Sequence, residues 1–250
     1  MIVGQSRLAL VEPATPFAEE RRVVDETLEA MAAEGRRVEL LLVTHHHVDH
    51  IGDVERLRQR LGVPLAAHAR TAVRLPFAVD RELRDGEEID LGEEIRLRAV
   101  HTPGHAPGHL VLQELGSGVA HAGDMVAGEG TILIDPSDDG DMAQYLDSLR
   151  RMRTLGATAW VPAHGPVLRE PEAVIDHYLR HRLAREAKVI AAIDGGAERI
   201  EEILARAYDD APRSLWPLAE RSVEAHLRKL EGDGTVVRRD GRVQRIPADA

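Results

Sequence analysis

The chain has 250 residues, of which 43% are hydrophobic, enough for one large domain or for one domain with a small appendage. It has no cysteine, a net charge of −11 and 3% aromatic residues, which excludes thiolate chemistry and argues against a strong nucleic-acid binder. It has neither an apolar run near the roughly 18 residues of a membrane span nor a signal-peptide pattern, so we expect a cytoplasmic protein with no membrane partner.

The first 170 residues alternate between predicted strands and helices. A hairpin over 2–4 and 7–12 precedes an amphipathic helix over 17–34, a strand over 38–43 and a short helix over 52–61. Interleaved strands and helices predict layered α/β packing. The later elements are strands over 64–68, 95–100, 110–115, 119–122 and 159–161, with a helix over 141–155 before the last strand.

Beyond residue 170 the predicted elements are mainly helices. They end in a hairpin with Asp240-Gly241 at its turn, which is a strong hairpin signal. Helices followed by a hairpin predict a small winged-helix-like domain, and we place the domains at 1–178 and 179–250. The elements are helices over 171–193, 199–207 and 218–231 and strands over 235–239 and 242–246.

One motif directly follows the strand over 38–43. It reads Thr44-His45-His46-His47-Val48-Asp49-His50 and contains His-x-His-x-Asp-His. Side chains alternate along a strand, so His45 and His47 are expected to point the same way, with Asp49 and His50 in the following loop. Solvent-exposed turns favour Gly, Asn, Ser and Pro, so this composition predicts a metal site.

Three later strand ends carry further candidate ligands. Each joins a glycine-containing turn to a histidine or an aspartate: His105 in Thr102-Pro103-Gly104-His105, Asp124 after Gly123, and His164 before Gly165. Alone each signal is weak, because histidine beside glycine is commonly a turn residue. Together with the first motif they form a set of seven candidate metal ligands: His45, His47, Asp49, His50, His105, Asp124 and His164.

The number of ligands predicts two metal ions, because one tetrahedral zinc takes four. One ion would be held by His45, His47 and His105, and the other by Asp49, His50 and His164. The carboxylate of Asp124 can bridge them, together with a hydroxide. Imidazole and carboxylate ligands suit zinc, and also iron or manganese.

The chemistry follows from the charge of such a centre. Two divalent ions lower the pKa of a bound water toward neutrality and polarise an acyl or phosphoryl oxygen. No serine or cysteine nucleophile is apparent. The sequence therefore predicts hydrolysis by a metal-bound hydroxide, with Asp49 and Asp124 as the catalytic carboxylates.

The four motifs, in this order, resemble those of the metallo-β-lactamase-fold hydrolases. The resemblance covers about residues 3–170 and implies an αββα sandwich with a dinuclear site on the rim between its two sheets. The roles implied for the seven ligands match those assigned above. The lack of cysteine and the presence of Asp124 are more similar to the glyoxalase II side of the family than to the antibiotic-hydrolysing enzymes.

A finer resemblance is to the β-lactamase-like protein 2 group, which also has a C-terminal winged-helix-like module. It rests on Gly128-Glu129-Gly130-Thr131, His164-Gly165-Pro166-Val167 and His181-Arg182. That group includes a single-strand-specific endoribonuclease and thioesterases. His181 and Arg182 either bind an anionic group of the substrate or belong to a salt-bridged helix face.

Two departures from the family pattern bear on the site. The family has a strand with an Asn-x-Tyr-like segment before the position of Ile2, so the start is truncated or misassigned, or the first sheet is shorter. The family's Asp-x-Gly after the second strand is Glu12-Pro13-Ala14 here, so the pattern does not predict support for the ligands from that loop. His109 is either such a supporting residue or a plain strand-end residue, and His46 is expected to face away.

Two functions fit these observations. The first is hydrolysis of a small-molecule thioester, ester or lactone, and the alternative is an endoribonuclease that cleaves single-stranded RNA. A non-catalytic binding protein is a third class, which seven intact ligands argue against. The arginines of the predicted wing either contact nucleic acid or are solvated or contact a second copy in a homo-oligomer: Arg238, Arg239, Arg242 and Arg245.

Overall fold

Two five-stranded sheets lie face to face in the computed structural model, which describes residues 1–247. In the first sheet β1 is antiparallel to β2, and β2 to β5 run parallel; the strands are β1 (Ile2–Gly4), β2 (Arg7–Val11), β3 (Arg37–Leu42), β4 (Leu65–His68) and β5 (Arg81–Leu83). In the second sheet only the last two strands are parallel; it comprises β6 (Glu88–Asp90), β7 (Arg96–His101), β8 (Leu110–Glu114), β9 (Val119–Gly123) and β10 (Ala159–Pro162).

The apolar run that leads into the His-rich motif is buried on both faces. Leu40 and Leu42 lie in the core between the two sheets, whereas Leu41 and Val43 lie in the core on the outer side of the first sheet. Successive side chains of a strand point to opposite faces, so a strand covered on both sides needs consecutive apolar residues. This burial fixes the position from which the motif begins.

Helices cover the outer faces of both sheets. The helices α1 and α3 pack on the first sheet, and α5 and the first half of α6 pack on the second. The predicted αββα layering is therefore confirmed. In chain order the helices are α1 (Ala18–Ala33), α2 (Val48–Ile51), α3 (Val54–Leu61), α4 (Ala69–Ala72), α5 (Met142–Arg153) and α6 (Pro171–Asp194).

The C-terminal elements form a second core, with the arrangement of a winged helix, as predicted. They are α7 (Ile200–Ala207), α8 (Trp216–Gly232) and the antiparallel hairpin of β11 (Val236–Arg239) and β12 (Arg242–Arg245). Val189 of α6, Leu227 of α8 and Val236 of the hairpin meet in this core.

The helix α6 belongs to both units. Ile175 packs against the second sheet, whereas Val189 packs in the C-terminal core. The predicted domain boundary between residues 178 and 179 falls inside this continuous helix and stays a prediction. Ala225 of α8 also joins the core on the outer side of the second sheet, so the C-terminal module rests directly on the αββα sandwich.

The structure differs from the predictions mainly in short elements. The strand β3 ends at Leu42, and Asp49 and His50 belong to the single-turn helix α2, so their predicted place in a loop is wrong. The strands β5 and β6 were not predicted, because each has three residues and only one of them is buried. Within residues 1–247 no helix is both long and apolar enough to cross a bilayer.

Candidate functional site

All seven candidate ligands lie where strands end. They come from four separate chain segments, and the fold brings these segments together at the rim between the two sheets. His45 and His47 follow β3, Asp49 and His50 lie in α2, His105 lies in the loop after β7, Asp124 follows β9, and His164 follows β10.

The turn between β3 and α2 places the first two ligands. His47 is the residue before α2 and has an extended backbone, with φ −63° and ψ 147°. Nε2 of His45 lies 3.0 Å from Nδ1 of His47. The two rings do meet, but this turn brings them together rather than strand alternation, because β3 has already ended at Leu42.

The ring nitrogens of three histidines converge on one point. Nε2 of His105 lies 2.9 Å from Nδ1 of His47 and 3.3 Å from Nε2 of His45. With zinc–nitrogen bonds of about 2.0–2.1 Å, tetrahedral geometry sets the ligand nitrogens ~3.3 Å apart. Burial lowers the pKa of His45, and it lowers the pKa of His105 to about 4, so both rings are neutral, as metal ligands must be. These three side chains fit one metal ion.

The second group lies beside the first. Oδ2 of Asp49 is 3.6 Å from Nε2 of His50 and 3.4 Å from Nε2 of His164. Burial opposes the charge of His50, but the carboxylates of Asp124 and Glu12 raise its pKa to about 10 in the metal-free protein. Metal uptake by this group would therefore release a proton from His50.

Asp124 lies between the two groups. Its Oδ2 is 3.5 Å from Nε2 of His105, in the first group, and 3.5 Å from Nε2 of His50, in the second. Its Oδ1 is 3.5 Å from Nε2 of His164. Oδ1 of Asp124 and Nε2 of His50 are buried and have no hydrogen-bond partner within the described chain. Buried polar atoms without partners are costly, and a metal ion would satisfy both of them.

Glu12 supports the ligands from beneath, although the sequence pattern did not predict support from its loop. It is the residue after β2 and has the left-handed φ of 49°. His50 donates from Nδ1 to its Oε1 at 3.0 Å, and His121 donates from Nε2 to its Oε2 at 2.6 Å. The Thr44 hydroxyl also donates to Oε1 and lies 2.9 Å from Nδ1 of His45. These bonds leave Nε2 of both His45 and His50 directed at the site.

The charge of Glu12 is stable despite its burial. Burial alone would raise the pKa of its carboxyl group, but the charge and hydrogen bond of His121 and the hydrogen bond of His50 lower it well below the ordinary value. The three donors therefore hold an ionised acceptor, which gives charge-assisted hydrogen bonds.

His109 positions the backbone of Asp124. The Asp124 N–H donates to Nε2 of His109 at 3.1 Å, and Nδ1 of His109 lies 2.8 Å from the Thr102 hydroxyl. Burial lowers the pKa of His109 to about 3, so the ring is neutral and can accept. Gly123 has a φ of 49°, and a Cβ there would lie 2.4 Å from Nε2 of His109. Of the two roles left open for His109, the structure favours the supporting one.

A cavity of about 660 Å³ is lined by five of the seven candidate ligands, namely His47, Asp49, His105, Asp124 and His164. Apolar side chains form part of its wall, and one arginine reaches it from α8. His46, which was expected to face away, lies at this wall too. Besides ligands, the lining includes His46, Val48, Ala127, Glu129, Ile132, Leu133, Asp135, Asp138 and Arg221.

The structure does not bring His181 or Arg182 to this cavity. Arg182 is 4% exposed; its guanidinium donates to the carbonyl of Ile132 and lies 5.3 Å from the centre of the Tyr145 ring. The ring of His181 stacks on His177 of the same helix, at 6.4 Å. Neither of the two is among the lining residues in the described part of the chain. Arg182 therefore has a structural contact in place of the substrate contact that the sequence left open.

The sequence reasoning missed three residues of this region. Glu12 directly follows the strand β2, a place in the sequence like that of the candidate ligand Asp124 after β9, and that signal was available. Asp138 and Arg221 carry no such signal, because only the tertiary docking of a 3-10 turn and of α8 brings them to the cavity.

Comparisons with known proteins agree with this fold and site. The sequence profile of the Metallo-beta-lactamase superfamily matches residues 1–164, and that of the Beta-lactamase associated winged helix domain matches residues 200–245. A beta-lactamase-like protein 2 homolog from Drosophila melanogaster is 29% identical over 222 residues, which covers 82% of this chain and 73% of the relative.

Two further relatives extend over more of the chain. An atrochrysone carboxyl ACP thioesterase from Passalora fulva is 30% identical over 245 residues, covering 93% of this chain and 69% of that protein. The crystal structure of a beta-lactamase domain protein from Burkholderia ambifaria has a TM-score of 0.81 at 23% identity, covering 96% of this chain and 82% of the other. The chain therefore belongs to the metallo-beta-lactamase superfamily and carries the winged helix domain that is associated with it.

Proposed function

We propose that the protein is a metal-dependent hydrolase with two divalent ions, zinc being the metal that its ligands suit best. The metallo-beta-lactamase fold binds divalent metals, and His45, His47 and His105 would hold one ion. Asp49, His50 and His164 would hold the other. The observation that carries the proposal is the position of Asp124, whose Oδ2 lies 3.5 Å from a ring nitrogen of each group.

The residues around the ions have separate roles. Bound divalent ions would lower the pKa of the attacking water and polarise the substrate carbonyl. Asp49 and Asp124 are the two carboxylates among the seven candidate ligands and would lie beside that water, so we assign them as catalytic. Glu12 and His109 hold the ligands in place through the hydrogen bonds described above.

The cavity supports a small-molecule acyl substrate. Its volume of about 660 Å³ lies within the range of small-molecule sites. Val48, Ala127 and Ile132 give its wall an apolar part that can take an acyl chain. One relative is named as an acyl-carrier-protein thioesterase. We therefore propose a thioester as the first substrate class to test, with esters and lactones as related classes; water adds to the acyl carbon, and the thiol leaves.

The wing gives little support to the alternative, cleavage of single-stranded RNA. Arg238 lies 2.8 Å from Glu224, Arg242 lies 2.7 Å from Glu198, and Arg245 lies 3.4 Å from Asp194. A guanidinium that is paired with a carboxylate has less charge to offer a phosphate backbone. RNA cleavage is therefore the outcome that would contradict the proposed substrate class.

The experiment compares the protein with two single variants on a panel of acyl thioesters, esters and lactones and on single-stranded RNA. We expect two equivalents of metal and thioester hydrolysis, with kcat/KM lowered at least ~100-fold in Asp124→Asn, as when one preorganised charge is lost. Asp147→Asn, an exposed change on α5, is the control and should match the parent. RNA cleavage that is lost in Asp124→Asn, with inert thioesters, would refute the proposed substrate class. Full activity without metal would refute the mechanism.

A further inference from the structure

Residues 131–138, between β9 and α5, contact two of the candidate histidine ligands and also form part of the cavity wall; we call them the 131–138 segment. The carbonyl of Leu133 accepts the Nδ1–H of His105 at 2.9 Å, which leaves Nε2 of that ring directed at the three-histidine group. Ile132 and Ile134 are 3% and 0% exposed and anchor the segment in the core of the second sheet. The segment therefore fixes the orientation of one ligand through its backbone.

The end of the same segment faces a second ligand. Asp138 closes a 3-10 turn over Pro136–Asp138, and its Oδ2 lies 3.1 Å from Nε2 of His47. This nitrogen is opposite the one that faces the metal position. The pair is at hydrogen-bonding distance but without hydrogen-bond alignment, since Nε2 of His47 forms no hydrogen bond with any residue of 1–247. The Asp138 side chain is 58% exposed, and its Oδ1 lies 3.5 Å from Nε2 of His46. A carboxylate behind a ligating imidazole orients the ring and raises its basicity.

Three arginines of the C-terminal helices hold this segment. One comes from α6 and two come from α8, and each contacts a different part of the segment. The contacts are Arg182 with the carbonyl of Ile132, Arg221 with the carboxylate of Asp135 at 2.8 Å, and Arg228 with the carbonyl of Pro136 at 3.1 Å.

The contact of Arg221 reaches the turn itself. Oδ1 of Asp135 accepts the backbone N–H of Ser137 at 2.9 Å and caps the 3-10 turn, while Oδ2 accepts from Arg221. In DNA-binding proteins with a helix-turn-helix, the recognition helix lies in a groove of the DNA. Here α8 rests on the αββα sandwich instead. The path runs from α8 through Asp135 and the turn to Asp138 and His47.

We propose that the C-terminal module sets the metal affinity of the three-histidine group, because it holds the 131–138 segment behind His47 and His105. Within that path Asp138 is a positioning residue for His47. The inference rests on the metal-dependent function proposed above. Because docking of the module and binding of metal need the same conformation of the segment, each stabilises the other.

The test isolates the three-histidine group. Asp49→Ala with His164→Ala, two changes at side chains 56% and 47% exposed, removes most of the other group and serves as the parent. In that full-length parent, cobalt(II) is titrated, its absorption bands are recorded and a chelator competes for the ion. The added changes are Asp138→Ala, Asp138→Asn and Arg221→Ala; the matched controls are Asp139→Asn and Arg239→Ala, at exposed positions.

The expected results follow from the distance of each residue from the metal. Loss of an outer-shell partner costs ~10- to 100-fold in metal affinity, so Asp138→Ala should lie in that range. Asp138→Asn should lose less, since its amide oxygen still accepts, and Arg221→Ala should lose about 10-fold, the low end of the same range. The cobalt bands should shift in Asp138→Ala, which a purely structural role would not cause. Both controls should bind as the parent does.

The results distinguish a failure of this inference from a failure of the proposed function. A parent that binds cobalt tightly, with Asp138→Ala and Arg221→Ala within about twofold of it, would overturn this inference and leave the proposed function intact. A loss in Arg221→Ala without one in Asp138→Ala would overturn the role of Asp138. Wild-type protein that binds no divalent metal would overturn both. Thermal unfolding of each metal-free variant checks that the fold is kept; Arg221 and Asp138 are 54% and 58% exposed.

Discussion

Replacing Glu12 by glutamine should weaken the site without touching a ligand. The carboxylate has two oxygens that accept from His50, His121 and Thr44. Glutamine keeps the shape but has only one accepting oxygen, and its other end is an amide that donates. One of the two imidazoles that now donate to Glu12 must therefore face a donor.

The size of the effect depends on which ring faces the amide. If it is His50, the neutral ring keeps its proton on Nε2 rather than on Nδ1, and the nitrogen directed at Asp124 has no lone pair to offer a metal ion. The loss of an outer-shell partner costs ~10- to 100-fold in metal affinity, or about 1.4–2.7 kcal/mol at about 1.4 kcal/mol per tenfold. If it is His121, an unpaired buried donor costs about 1–3 kcal/mol of the free energy of unfolding. The Glu12 side chain is 6% exposed, so water does not reach it to replace the lost bond.

The assay measures both quantities. Chelator competition gives the affinity for each metal equivalent, and urea unfolding of the metal-free protein gives the stability. Glu26→Gln, at a side chain 60% exposed on α1, is the control and should change neither. A Glu12→Gln protein that keeps both affinities within twofold and its stability within about 0.5 kcal/mol would refute the role assigned to Glu12.

Two further predictions concern stability. Gly123→Ala should cost about 1–3 kcal/mol more of the free energy of unfolding than Gly130→Ala, as measured in urea. Both glycines have positive φ, but an added Cβ at Gly123 would lie 2.4 Å from Nε2 of His109, whereas one at Gly130 would meet nothing within 4 Å. Equal losses would contradict this prediction. Burial opposes the charge of Glu186, but hydrogen bonding led by His226 lowers the pKa of its carboxyl group. Its contribution to the free energy of unfolding is therefore present above the ordinary carboxyl pKa and is lost as pH falls through the pKa of the folded state. Glu186→Gln should therefore be less stable than the metal-free wild type at pH 7 and approach it below about pH 4; a constant difference would contradict this.

Much of the fold was predictable because the main elements carry strong local signals. The apolar run at Leu40–Val43 indicates a strand buried on both faces, and Asp240-Gly241 indicates the wing. The strands β5 and β6 have no such signal. Their three residues are held by pairing with β4 and β7, and tertiary pairing of this kind leaves no pattern in the local sequence.

The positions of the candidate ligands were predictable where these residues follow a strand, and less predictable elsewhere. His105 and His164 follow β7 and β10, and the strand-end argument finds them. Arg221 sits on a helix with several other charged residues, and its sequence context does not distinguish it from a solvated arginine. Its place at the cavity depends on how α8 docks against the sandwich, which is a long-range property of the fold.

The charges that line the cavity bear on the kind of group that reacts there. Among residues 1–247, five carboxylates and one guanidinium face the cavity. The guanidinium is that of Arg221, which is paired with Asp135. Two divalent ions would bring the formal charge of this lining to zero, and an attacking hydroxide would make it negative. A neutral acyl carbon enters such a site without charge repulsion, whereas a strand of phosphodiesters would have to approach the carboxylates of Glu129 and Asp138 at its wall. Electrostatics therefore favours a thioester over RNA, and we expect weak RNA cleavage, if it occurs, to rise with ionic strength as that repulsion is screened.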